Sequence, residues 1–159
     1  MTQQDKELLL RDLSARLPYG VMVSVQGGEF DSYKYPYQLT AVSKFGLDSF
    51  CKVYHPIYTP FGVVPNVEDI KPYLRPMSSM TEEEFEKLKE YSGLVYDQLD
   101  LASFQDGAYK CLDFYLNEVP ADVVILVFDW LNAHHFDYRG LIERGLAIKV
   151  TESNNPYKE

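Results

Sequence analysis

The sequence predicts an α+β fold: an N-terminal helix, a small antiparallel sheet of about three strands and a helical C-terminal half, forming one domain over residues 1–150 with a tail at 151–159. Three observations carry this expectation. Apolar residues recur at helical spacing in the first 17 positions, period-2 alternation and turn chemistry follow from Val21 to His55, and a capping box at Thr81 opens a half in which helical spacing returns. The length, 159 residues, suffices to bury a core, and 46% hydrophobic with 25% charged residues is the composition of a globular chain.

Thr2 is placed to cap a helix over 2–17, in which Leu8, Leu9, Asp12, Leu13, Arg16 and Leu17 share one face. Pro18-Tyr19-Gly20 ends it. Val21, Val23 and Val25 alternate with Met22 and Ser24 as in a half-buried strand, and Gln26-Gly27-Gly28-Glu29 supplies turn residues. Tyr37–Lys44 and Asp48–His55, joined by Phe45-Gly46-Leu47, suit a hairpin. Between His55 and Met80 lie Pro56, Pro60, Pro65, Pro72 and Pro76, so little regular structure is expected there beyond a helical turn within Val67–Leu74. The apolar residues interleaved with those prolines point to an ordered, wrapping connection.

Thr81-Glu82-Glu83-Glu84 is a capping box, and the helix it opens runs to Ser92, with Phe85 and Leu88 inward, Glu83 paired to Lys87, and Gly93 as its stop. Leu94–Leu101 is ambiguous. A helix over Gly107–Leu116 ends before Pro120. In Ala121–Ala133, six consecutive apolar residues would suit a strand, but recurrence at i, i+3, i+4, i+7 and i+8 and the length favour helix. Asp137 is expected to cap a short helix over Tyr138–Arg144 stopped by Gly145, and Ala147–Val150 to add a last strand.

Twenty-four acidic and 15 basic residues leave a net charge of −9, which disfavours sequence-independent binding to nucleic acid or anionic membrane. The longest apolar run, Val123–Phe128, is too short to span a bilayer, and Met1–Glu7 lacks the features of a secretory signal, so the cytoplasm is the default location. Cys51 and Cys111 stand far apart and read as reduced, partly buried thiols. The common phosphate-loop, dinucleotide, nucleophile-elbow and metalloprotease signatures are absent, so no cofactor and no catalytic residue is expected.

Tyrosine is the compositional outlier, at 13 residues. Tyr33, Tyr35 and Tyr37 would set three phenols on one side of an extended segment, either as a binding surface or as an aromatic ladder covering the sheet. Tyr73 and Arg75 stand in a stiff proline context that either presents Arg75 to a partner or anchors it against the acidic helix at Glu82. Trp130 and Arg139 make a second recognition cluster, unless Arg139 pairs with Asp137 or Glu143. His134 with Asp137 is the better-spaced weak metal candidate, the competing explanation being a polar helix end.

Three blocks, Leu8–Val21, Lys71–Glu84 and Asp129–Ala147, resemble a family of small uncharacterised proteins carried by phages, prophages and mobile elements of gut anaerobic bacteria. They span about a third of the chain. The resemblance implies a mobile-element context and carries over no catalytic residue. The sequence therefore leads to a non-enzymatic module that binds another protein of host or phage. One alternative is an acidic DNA mimic that inhibits a nucleic-acid-binding protein, and a second is a small hydrolase dependent on a histidine or a metal.

Overall fold

Thr2 opens the first helix, α1 (Gln3–Arg16), by a reciprocal capping box: its hydroxyl accepts from the Asp5 amide while the Asp5 carboxylate accepts from the Thr2 amide. The computed structural model describes residues 1–27, 35–45, 48–56, 59–94, 100–114 and 119–158, and groups the chain into two compact units, Met1–Leu74 with Arg139–Glu159, and Arg75–Tyr138.

In the first unit α1 accompanies six strands: β1 (Met22–Val25), β2 (Tyr37–Phe45), β3 (Asp48–His55), β4 (Thr59–Val63), β5 (Ile70–Leu74) and β6 (Ile148–Lys149). They form one sheet in the order β4-β3-β2-β1-β5-β6, antiparallel throughout except for the parallel pair β5–β6. The expected β2–β3 hairpin forms, but Phe45, placed by the sequence in the connection, belongs to β2 and pairs with Asp48; the pairing has a bulge between Leu39 and Ala41, and Gly46-Leu47 lies outside the described residues.

The sheet is larger than the three strands expected, because the proline-rich stretch supplies two more. Val67–Asp69 is the expected helical turn, but Ile70 returns to extended backbone and β5 follows. Pro72 is tolerated inside a strand paired on both sides because of its register. Gln26 donates to Asp69, which makes Ser24 and Lys71 the next hydrogen-bonded pair and leaves Val23 and Pro72 opposed without ladder bonds. On the other side, pairing with β6 begins at Tyr73, one residue later, so the missing N–H costs no ladder bond.

The core of this unit lies between α1 and one sheet face, where Leu9 and Leu13 meet Val23, Val25, Tyr37, Leu39, Cys51, Val53, Ile70 and Leu74. Burial pushes the Cys51 thiol up to about 12, so it stays protonated and behaves as a small apolar side chain. Asp12 and Arg16 lie on the same helical stripe and are both fully buried. Asp12 accepts from Arg16 Nε at 2.8 Å through one carboxylate oxygen and from Arg139 at 2.8 Å through the other. Arg139 thus pairs with Asp12, a partner that the sequence did not offer beside Asp137 and Glu143. The helix expected over Tyr138–Arg144 is replaced by turns, and Gly140, at φ 72°, interrupts any helical path there.

The second unit contains α2 (Glu82–Ser92), α3 (Leu101–Phe114) and α4 (Ala121–Ala133). The α2 capping box and its left-handed Gly93 stop form as their spacing predicts. Helix α3 begins six residues earlier than expected, where Asp100 caps it through the Ser103 amide, and it kinks at Gly107. Residues 95–99 and 115–118, on which parts of the sequence reading fall, lie outside the described residues. Phe85 and Leu88 from α2, Phe104 from α3, and Val127, Trp130 and Leu131 from α4 make this unit's own core. Among the described residues no helix is long and apolar enough to cross a membrane.

Removing the carboxylate from between the buried guanidinium of Arg16 and the partly buried one of Arg139 leaves their charge uncompensated, a loss of about 3–5 kcal/mol. Asp12→Ala is expected to lower stability in urea denaturation by that amount, and Arg139→Ala by less, because Arg16 still neutralises Asp12. Equal, sub-kilocalorie effects of both substitutions would contradict the assignment.

Candidate functional site

Alternation along the strands of the first unit divides its side chains between a buried face and an outward one. Met22 and Ser24 of β1, Gln38 of β2, Phe50, Lys52 and Tyr54 of β3, and Lys71 and Tyr73 of β5 take the outward phase. The register opposes Tyr54 to Gln38 and Gln38 to Met22, and its continuation past Val23 and Pro72 opposes Met22 to Tyr73. Tyr54, Gln38, Met22 and Tyr73 therefore form a row across four strands, about 14 Å from end to end at about 4.8 Å per strand.

Tyr54 is exposed and Tyr73 half-buried, with its hydroxyl bonded to that of Ser24; burial pushes the Tyr73 phenol up, so it remains a neutral donor and acceptor. Lys52 lies opposite Ala41 and Lys71 opposite Ser24, placing positive charge on this face of a chain whose net charge is −9. The arrangement offers apolar ring and thioether surface edged by amide, hydroxyl and ammonium groups.

The tyrosine run expected as a single patch is not one. Tyr33 lies outside the described residues. Tyr37 is fully buried in the core of the first unit and unavailable to a partner. Tyr35 is 49% exposed, and its ring and that of Tyr37 each lie 5.9 Å from the ring of His55. Tyr35 precedes β2, which starts at Tyr37, and the two rings differ in burial although they stand two positions apart.

The other residues singled out in the sequence fall mainly in the second unit, where neighbouring groups engage them. Trp130 is buried and stacked on His134, with centroids 3.8 Å apart, and on Phe136. Arg75 accepts the role of anchor: it binds both carboxylate oxygens of Glu84, at 2.8 and 3.0 Å, and its guanidinium lies 4.2 Å from the centre of the Phe136 ring. Its backbone pairs with the strand-like segment after α4, receiving from Asp137 and donating to His135. Asp137 is thus a backbone partner of Arg75, where the sequence suggested a helix cap.

The two histidines end α4. His134 Nδ1 meets the Trp130 carbonyl at 2.9 Å, and His135 adopts a left-handed conformation with φ 59°. His135 donates to Asn132 and Phe136 to Leu131, the paired bonds of a Schellman stop with histidine in glycine's usual place. Among the described residues no three His, Cys, Asp or Glu side chains gather as a metal site would require, which removes geometric support from His134 and Asp137.

Tyr54, Gln38, Met22 and Lys52 are the site residues that sequence reasoning passed over. The period-2 pattern of Asp48–His55 put Tyr54 and Lys52 on one face, but alternation alone does not say which face a helix covers. No family model, curated protein or solved structure matches the chain.

A non-glycine residue at left-handed φ carries about 1–2 kcal/mol of backbone strain. His135→Gly is expected to raise thermal stability by up to about 1 kcal/mol after glycine's greater unfolded-state entropy, whereas His135→Val destabilises. A destabilised glycine variant would show that the imidazole does more than close the helix.

Burial alone would raise the Glu84 pKa, but bonds from Arg75 and Thr81 outweigh it and hold the carboxyl below its ordinary value. A carboxyl depressed on folding adds stability above its unfolded pKa of about 4.3 and loses it as pH falls through the lower folded value. Urea midpoints of the wild type and Glu84→Gln are therefore expected to differ at pH 7 and converge toward pH 3. A pH-independent difference would rule this contribution out.

Proposed function

We propose that the protein is a non-enzymatic interaction module that binds another protein through the outward sheet face of the first unit. The Tyr54–Gln38–Met22–Tyr73 row carries this reading. Tyrosine and methionine present large, adaptable contact area at low entropic cost, and both are enriched at interface centres. The row and its two lysines cover on the order of 200 Å², against about 800 Å² per partner in a standard interface. They would therefore supply the centre of a contact completed by surrounding surface. Kinship with phage-carried and mobile-element proteins belongs to the same proposal and rests on the three sequence blocks; such a setting suits a small protein acting on a partner of host or phage.

The DNA-mimic alternative draws on the acidic exposed face of α2. Two of those carboxylates already carry lysine partners: Glu83 pairs with Lys87 at 2.6 Å and Glu86 with Lys89 at 2.5 Å. A helix whose negative charges are partly neutralised in this way is a poor imitation of a phosphate row. The sheet face is the better-supported surface.

Removal of a central tyrosine from an interface costs about 2 kcal/mol, or about 30-fold in affinity. A partner captured from lysate by the immobilised chain is expected to bind Tyr54→Ser about 30-fold more weakly, with Lys52→Glu reducing binding further. Tyr91→Ser, which alters an exposed residue of α2, should bind as the wild type does. Equal retention by Tyr54→Ser, with its circular dichroism unchanged, refutes this surface, and loss only in a Glu82→Gln/Glu90→Gln variant transfers the site to α2.

A further inference from the structure

Beyond β6 the chain makes turns over residues 152–154 and 156–157, and it is fastened to the sheet by an aromatic side chain. Among the hydrogen bonds described for residues 151–158, most are local: the Thr151 amide donates to Asn154, Asn154 donates to the Lys149 carbonyl, and the Tyr157 amide donates to Asn155. Two reach far along the chain, and both belong to the Tyr157 hydroxyl. It accepts from the Met22 amide at 3.2 Å and donates to the Tyr73 carbonyl at 2.8 Å.

Those two backbone groups are the next partners in the β1–β5 ladder. Gln26 faces Asp69, Ser24 faces Lys71, and the same register brings the Met22 N–H opposite the Tyr73 C=O in a hydrogen-bonded pair. Instead of bonding directly, the two groups are joined through an inserted phenol. Burial pushes that phenol well above its ordinary range, so it keeps the proton it donates to Tyr73. The charges of Arg16 and Asp12 also act on this phenol, in opposite directions.

We propose that residues 151–158 form a releasable strap with Tyr157 as its catch: docked, the phenol bridges the Met22 N–H and the Tyr73 C=O; released, these two groups bond directly and the ladder lengthens by one pair. Both states satisfy the Met22 N–H and the Tyr73 C=O, so release strands no buried backbone group. Its cost is limited to the ring's contacts and hydroxyl bonds, because Thr151–Asn154 and Lys158 are already exposed. Val150, whose amide donates to the Leu74 carbonyl at 2.8 Å, is the fixed point about which the strap turns.

Amide hydrogen exchange on the full chain tests this. In the wild type, the amides of residues 152–155, Tyr157 and Lys158 should exchange by local opening about 100-fold faster than those of Ser24 and Lys71. Exchange of the strap only at the rate of global unfolding overturns the proposal, whatever the variants do. In Tyr157→Phe the ring stays but the hydroxyl is lost, and the Met22 amide should exchange about 10-fold faster while Ser24 is unchanged. In Tyr157→Ala the strap leaves and the ladder closes, so Met22 should regain protection close to that of Ser24. A folded Tyr157→Ala protein whose Met22 amide remains as fast as in Tyr157→Phe shows Tyr157 to be a fixed anchor and overturns the proposal.

Discussion

A single buried carboxylate sets the geometry of the first unit. Asp12 takes one guanidinium from Arg16, on the next turn of its own helix, and a second from Arg139, 127 residues away in sequence. Leu9 and Leu13 would bury equally well over a range of helix rotations, since apolar contact has no direction. The charges have no such latitude. Turning α1 by one residue swings Asp12 through about 100° and strands at least one fully buried ion, at a cost of several kcal/mol. The pairing thus fixes the rotation of α1 and the point at which the returning chain re-enters the unit, and the tightly packed strands beneath inherit that placement.

The second unit uses the same chemistry at a wetter site. Arg75 and Glu84 are each about a quarter exposed, so their pairing is screened and worth less than that of Asp12. What they gain is economy of parts. Glu84 caps α2 and binds Arg75, while Arg75 covers Phe136 and pairs its backbone with the segment leaving α4. The start of one helix and the end of another are consequently tied to one side chain, and the left-handed His135 is held where that backbone pairing needs it.

Legibility in the sequence followed the range of the interactions. Helix α2 was readable in full because a capping box, its i,i+4 pair and its glycine stop all lie within thirteen residues. Strand β1 was readable from three alternating valines. Strands β4 and β5 were not, because prolines argue locally against strand and only pairing with β3 and β1 overrides them. Asp12 and Arg16 were visible on the apolar stripe of α1, but nothing near them announced Arg139. The candidate surface shows the same limit: Tyr54 and Lys52 were assignable to a common face by alternation, whereas the burial of Tyr37 depends on α1 and on a register defined by three strands. The hydroxyl of Tyr157 meets Met22 across 135 residues, a distance at which local pattern is silent.

Pro72 has a further effect on how this sheet assembles. Its ring occupies a place between ladder bonds, where an absent N–H costs nothing. Were β5 to slide along β1 by one residue, the imide nitrogen would arrive opposite a carbonyl it cannot satisfy, while Ile70 and Leu74 would turn from the core into solvent. A residue that argues against a strand in the sequence thereby acts as a key cut for one alignment. The interior strand pair β1 with β5 can close correctly or lose a bond and two buried side chains at once, and so the proline that hid the strand from view also makes its pairing unambiguous.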